Sequence, residues 1–240
     1  MKWLLAILLV LASLALFSRP PGPLHFALAG ARASGACAAP MVRFRGAGKD
    51  FPALCRSAEA AIAFLSGLGL ALRHPVQIAV VPVLSCTNRN ECLGCFSASR
   101  DRIEILDLTA RNQGAFRRRI FGFDVDAELL GSVVGHEIAH AALHDAPEKH
   151  GRPLPRGFQE YIAHVTQLSL LGDQRRKRVL ERYGDAAFTG PEQMTAIFYQ
   201  IDPEKFAVMS YRHFLATADR KAFIRRLVEG KESPYELYFR

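Results

Sequence analysis

The sequence predicts an α+β fold: a small N-terminal mixed sheet with one helix, packed on a mainly helical C-terminal half. Two observations predict it. Short β-branched or alternating runs are confined to the chain before residue 110 and are bounded by Gly, Pro and Asn. From Asp126 onward apolar residues recur at helical spacing instead. Strands first and helices after favour segregated layers over alternating βαβ units. A chain of 240 residues that is 50% apolar and 22% charged can bury a sizeable core and is neither disordered nor collagen-like. No repeat and no low-complexity tract interrupts it.

Residues 1–33 stand apart. Lys2 is followed by fifteen uncharged residues, Trp3 through Phe17, and then by Arg19-Pro20-Pro21-Gly22-Pro23, which breaks any helix. A charged start and a short apolar run form an export signal, cleaved near Ala29 or Ala33, or an uncleaved membrane anchor. Ser34-Gly35-Ala36-Cys37 lies too far from the apolar run for a lipid-attachment site. The body, 34–240, divides into a sheet-containing part, 34–123, and a helical part, 124–240.

In the body, 41–45 alternates apolar and basic residues, as a short strand does. The span 51–70 reads as a helix with Leu54, Ala58, Ala61, Ile62, Leu65 and Leu68 on one face, ended by Gly67 and Gly69. The run 76–83 after Pro75 reads as a buried strand. Spans 95–99 and 102–108 read as further strands, the second with Ile103 and Ile105 on one face. Helices are expected over 127–144, 158–171, 173–183, 191–199, 203–217 and 220–229. The tail from Tyr235 to Phe239 is expected to pack on the body.

Export sets the meaning of the five cysteines, because disulfides are the default in an oxidising compartment. Cys86, Cys92 and Cys95 crowd one loop. One bridge inside that loop and one reaching Cys55 or Cys37 are expected. Five is odd, so one thiol is left over or leaves with the signal. Cys92-Leu93-Gly94-Cys95 has redox-motif spacing but precedes an extended stretch rather than a helix. A four-cysteine zinc site lacks its second pair. The net charge of +8 includes the basic runs 117–119 and 175–178. These read as solvated helix faces, or as contacts to a membrane surface or acidic partner. An exported chain is not expected to bind nucleic acid.

The chemistry centres on His136-Glu137-Ile138-Ala139-His140. Residues four apart share one helix face at about 6 Å, so both imidazoles can meet one ion. Glu137 sits about 100° round the helix, within reach of a water on that ion. Ala127, Leu130, Val134, Ile138 and Ala141 form an apolar stripe that anchors the back of the helix. Asp124 or Asp126 is its N-cap. A catalytic zinc takes three protein ligands and keeps a fourth position for water. His144 lies about 12 Å along the axis from His136, too far to share the ion. His150, in a Pro- and Gly-rich loop, is a weaker third ligand than Glu160. The loop 145–157 lets a second helix fold back and present Glu160.

His136-Glu137-x-x-His140 followed by Glu160 resembles the gluzincin metallopeptidases, which include thermolysin-like and aminopeptidase-like enzymes. The segment Pro155 to Ala163 is similar to their Pro-x-Trp-Leu-x-Glu-Gly-x-Ala pattern, with Gly157 where Trp is common and Tyr161 where Gly is common. The resemblance covers about residues 126–171. It implies zinc held by His136, His140 and Glu160, with Glu137 as the general base of peptide hydrolysis. It implies Gln159 and His164 as supports for the histidines, with histidine standing where a carboxylate is usual. Ser210-Tyr211-Arg212-His213 looks similar to the tyrosine-bearing helix of these enzymes. Tyr211, with His213 second, is therefore the expected oxyanion donor; an ordinary core tyrosine is the competing reading. The expectation is an exported zinc peptidase acting on a peptide or protein, with a membrane tether if the N-terminus is retained. The alternative is a non-catalytic zinc-containing envelope protein that keeps the fold for binding.

Overall fold

The computed structural model describes residues 35–46, 50–85, 92–109, 118–146 and 153–232. The N-terminal segment expected to act in export, His150, Cys86 and the aromatic tail lie outside the described residues. The fold is α+β, with all its described α-helices but one in the C-terminal half. Among the described residues no helix is long and apolar enough to cross a membrane.

Five strands form one mixed sheet: β1 (Gly35–Ala36), β2 (Val42–Arg45), β3 (Val76–Val81), β4 (Gly94–Ser97) and β5 (Arg102–Leu106), in the order β1-β2-β3-β5-β4. The β2, β3 and β5 strands run parallel, and β1 and β4 flank them antiparallel. The crossover from β2 to β3 carries α1 (Phe51–Gly67), because parallel neighbours cannot be joined by a tight turn. Register places Phe44 beside Ile78 and Ile78 beside Ile103. These three side chains are buried in one row of the core.

Strict alternation is lost in β5, where Glu104 is as buried as its apolar neighbours. Its carboxylate accepts from the Ser85 backbone N–H and, at 2.7 Å, from the Ser85 hydroxyl. Arg102 completes the clamp. A buried charge persists only when paired in this way.

Gly69 ends α1 with φ +83°, and the Leu70 N–H returns to the Leu65 carbonyl at 2.9 Å. The bridge Cys37–Cys55 ties the loop after β1 to α1, so these two cysteines pair with each other rather than with the 86–95 loop. Cys95 is also disulfide-bonded, to a partner outside the described residues.

A two-stranded hairpin, β6 (Arg119–Ile120) and β7 (Phe123–Asp124), leads into the helical half. Nothing in the local pattern predicts it, since its turn is Phe121-Gly122 with both residues at positive φ. The helices are α2 (Ala127–His144), α3 (Arg156–Ser169), α4 (Asp173–Arg182), α5 (Ala196–Ile201), α6 (Pro203–Ala216) and α7 (Arg220–Val228). The span 191–199 is therefore not one helix: a 3₁₀ turn at Pro191–Gln193 precedes α5. Asp126 is the N-cap of α2 and accepts from Leu129 N at 3.0 Å.

Helix α2 is buried nearly all round, apart from its two ends, where Ala127, Glu128 and His144 are exposed. Its glycines let α1 and the chain after α3 approach closely. A Cβ at Gly131 would lie 2.2 Å from the Ser57 Oγ, and one at Gly135 would lie 2.1 Å from Leu170. A second, smaller core cluster gathers Phe121, Leu129, Leu168, Val179 and Tyr211.

Candidate metal centre

Helices α2 and α3 pack together and bring His136, His140 and Glu160 to one point. The two Nε2 atoms are 3.2 Å apart. Glu160 Oε2 stands 3.5 Å from that of His136 and 3.7 Å from that of His140. These last two separations exceed a hydrogen bond, and Oε2 is buried without a hydrogen-bond partner. An acceptor left bare in this way is costly unless a cation completes it. Nitrogens about 2.0–2.1 Å from a tetrahedral zinc stand about 3.3 Å apart. Two imidazoles and a carboxylate at these spacings fit zinc, on separations and donor types alike.

Glu137 lies beside the cluster and is 6% exposed. Strand β4 covers it, with the Phe96 backbone hydrogen-bonded to its carboxylate. Gly94 permits the approach, because a Cβ there would lie 3.0 Å from Glu137 Cγ and 2.9 Å from Val133. Burial pushes the Glu137 carboxyl above its ordinary range, against the opposing pull of His136 and His140. Burial acts on Glu160 in the same sense, but the two imidazoles facing it outweigh burial and hold its carboxyl far below that range.

The cluster opens on a cleft of about 690 Å³, within the size range of small-ligand sites. One wall is β4, the last strand of the sheet, at Cys95 and Phe96. Tyr199 and Arg156 form part of the rim. Arg156 Nε is 3.5 Å from Glu160 Oε1, and its guanidinium lies over the Tyr199 ring, 5.4 Å from the centroid. Burial, and then the charge of Glu160, raise the Tyr199 hydroxyl pKa, so it remains a proton donor.

His164 packs edge-on against His136 and donates through Nδ1 to the Gln167 side-chain amide oxygen, 3.0 Å away. Burial, and then the charge of His136, lower it to about 3, so it is neutral. Gln159 does not support the histidines, since its amide nitrogen donates to the Leu154 carbonyl at 2.7 Å and anchors the loop before α3.

The structure does not bring Tyr211 and His213 to the cleft. Tyr211 is buried in the second core cluster, with the Arg176 guanidinium over its ring. His213 Nδ1 is 2.8 Å from the Tyr161 hydroxyl, and its ring packs on Phe223. Tyr161 is itself fully buried. The tyrosine at the cluster is Tyr199, which no local pattern singles out because α5 is only six residues long. Arg156, one helical turn before Glu160, was the more legible omission.

Gly157 has a structural reason for lacking a side chain. A Cβ there would lie 1.8 Å from the Met194 carbonyl oxygen, where the chain entering α5 crosses the first turn of α3. Beyond that crossing the chain brings Tyr199 to the rim of the cleft.

No curated protein and no solved structure matches the chain. A family model described as a family of unknown function, DUF6639, matches residues 46–235, and the chain belongs to that family.

Proposed function

We propose that the chain is an exported zinc-dependent peptidase, with His136, His140 and Glu160 as metal ligands and Glu137 as general base. The observation that carries this reading is a three-donor cluster holding an unsatisfied buried carboxylate oxygen, with a second buried carboxylate beside it at the floor of an open cleft. When bound, zinc supplies a water acidified to a pKa of about 7 and a Lewis acid for the scissile carbonyl.

Glu137 takes the proton of the attacking water and returns it to the leaving amine. Its raised carboxyl pKa suits that exchange better than an ordinary carboxylate would. Tyr199, rather than Tyr211 or His213, donates to the developing oxyanion, because it alone of the three lines the cleft. The outer edge of β4 lies along the cleft, where an extended peptide or protein substrate would run beside it. The disulfide Cys37–Cys55 supports export to an oxidising compartment.

The test is elemental analysis of the purified full chain together with a broad peptide library read by mass spectrometry. The reading expects one zinc per chain and cleavage, with both lost in Glu160→Ala. Zinc without cleavage would favour a non-catalytic metal protein, and neither would sink the proposal.

A further inference from the structure

A second cavity, about 310 Å³, lies between the end of α1 and α7. Leu68, Leu70 and Ala142 give it an apolar interior, all three side chains being buried. Its rim carries three cations from two stretches of chain: Arg73 before β3, and Lys221 and Arg225 one turn apart on α7. All three residues are exposed. Among the described residues none of the three side chains has an ion-pair or hydrogen-bond partner, whereas the neighbouring Arg226 pairs with Glu232 at 2.7 Å. Glu229, an acid on the same rim, is held by Lys231 at 2.8 Å. Three cations with no counterion among the described residues, around an apolar hollow, form a site of definite polarity, apolar within and positive at the mouth.

We propose that this cavity binds a soluble single-chain amphiphilic anion, such as a medium-chain carboxylate. The tail would enter between α1 and α7, and the headgroup would meet Lys221, Arg225 and Arg73. The chemistry follows from the lining. An inorganic anion would leave the apolar interior uncovered, and a neutral hydrocarbon would leave the three cations without a counter-charge. The volume holds about ten water-sized groups, which suits one chain of medium length. It lies at the low end of the range for small-ligand sites. The inference is independent of the metal centre, although Ala146 lines both cavities.

The experiment is calorimetric titration of the full chain with decanoate, with decanol and decyltrimethylammonium as neutral and cationic controls. Decanoate is expected to bind once per chain, at least tenfold more tightly than either control. K221E/R225E should weaken it at least tenfold. R73E, on a different segment, should weaken it in the same direction if the double variant fails to fold. Glu160→Ala should leave decanoate binding unchanged; loss there would assign the carboxylate to the metal centre and overturn the proposal. So would absence of binding, equal affinity for decanol, or unchanged affinity in the folded charge variants. Binding to phosphatidylglycerol vesicles without binding to decanoate would also overturn it, as a membrane contact.

Discussion

His164 stands edge-on to His136 with ring centroids 4.6 Å apart, and each ring has a buried nitrogen without a hydrogen-bond partner, Nδ1 of His136 and Nε2 of His164. With Nδ1 of His164 donating to the Gln167 side-chain amide oxygen, its Nε2 is a bare acceptor on a ring packed against His136, a proposed zinc ligand. A neutral ring thus packs on His136 where the resemblance implies a carboxylate. We predict that His164→Phe, which keeps the volume and removes the acceptor, weakens zinc binding about 10- to 100-fold. Competition against a chelator measures it, and unchanged affinity would mean that His164 is packing alone.

Glu137→Gln should keep zinc and fold and lose about 10²- to 10⁴-fold in turnover. The amide is nearly isosteric and accepts no proton. Equal cleavage by the two proteins would remove Glu137 from the mechanism.

Gly157→Ala should lower stability by about 2 kcal/mol or more, because the new methyl meets backbone rather than a side chain that can turn away. Urea unfolding reads it. A loss below about 0.5 kcal/mol would show that the crossing at Met194 yields easily.

Asp145 supplies a pH dependence. At the end of α2 its carboxylate accepts from the Arg73 and His74 backbone N–H groups at 2.7 and 3.1 Å and meets His74 Nδ1 at 3.3 Å. Burial would raise its pKa, but these partners outweigh burial and bring it below 3.8. A depressed carboxyl stabilises the fold above its unfolded pKa and loses that contribution as pH falls through the folded one. Asp145→Asn should therefore cost about 1–2 kcal/mol at neutral pH, with the gap from wild type closing below about pH 4. A gap constant from pH 7 to pH 3 would contradict this.

The bridge Cys37–Cys55 closes a loop of 18 residues, worth about 3 kcal/mol in the chain-entropy account. Cys37→Ala/Cys55→Ala should lose stability of that order. Thiol labelling of denatured, unreduced protein from its native compartment should find no more than one thiol per chain. Three or more would contradict the oxidised state.

What the sequence could disclose was set by the range of each signal. The N-cap at Asp126 and the His136/His140 pair depend on neighbours within one or two turns, and they stand where the local pattern puts them. Glu160 needed only a loop long enough to reverse the chain. Tyr199 and Tyr211 are indistinguishable at that range, both being tyrosines on helices after α3. Long-range packing separates them: α6 turns Tyr211 onto Leu129, Leu168 and Val179, while the crossing at Gly157 sends Tyr199 to the cleft. Glu104 was hidden for a related reason. Its partner Ser85 is 19 residues away in sequence, so a strand covered on both faces cannot be told locally from a half-exposed one.

The crossing at Gly157 also constrains descent. Any relative that carries its chain past α3 as this one does has no room for a β-carbon at the equivalent of position 157, whatever else it changes in the cleft. Glycine three residues before the acidic ligand should therefore persist in the family where the surrounding side chains drift. A branch that has lost it should show a compensating insertion or deletion near the equivalent of Met194. An alignment in which the glycine varies without such a change would show that the rest of the family routes this segment differently.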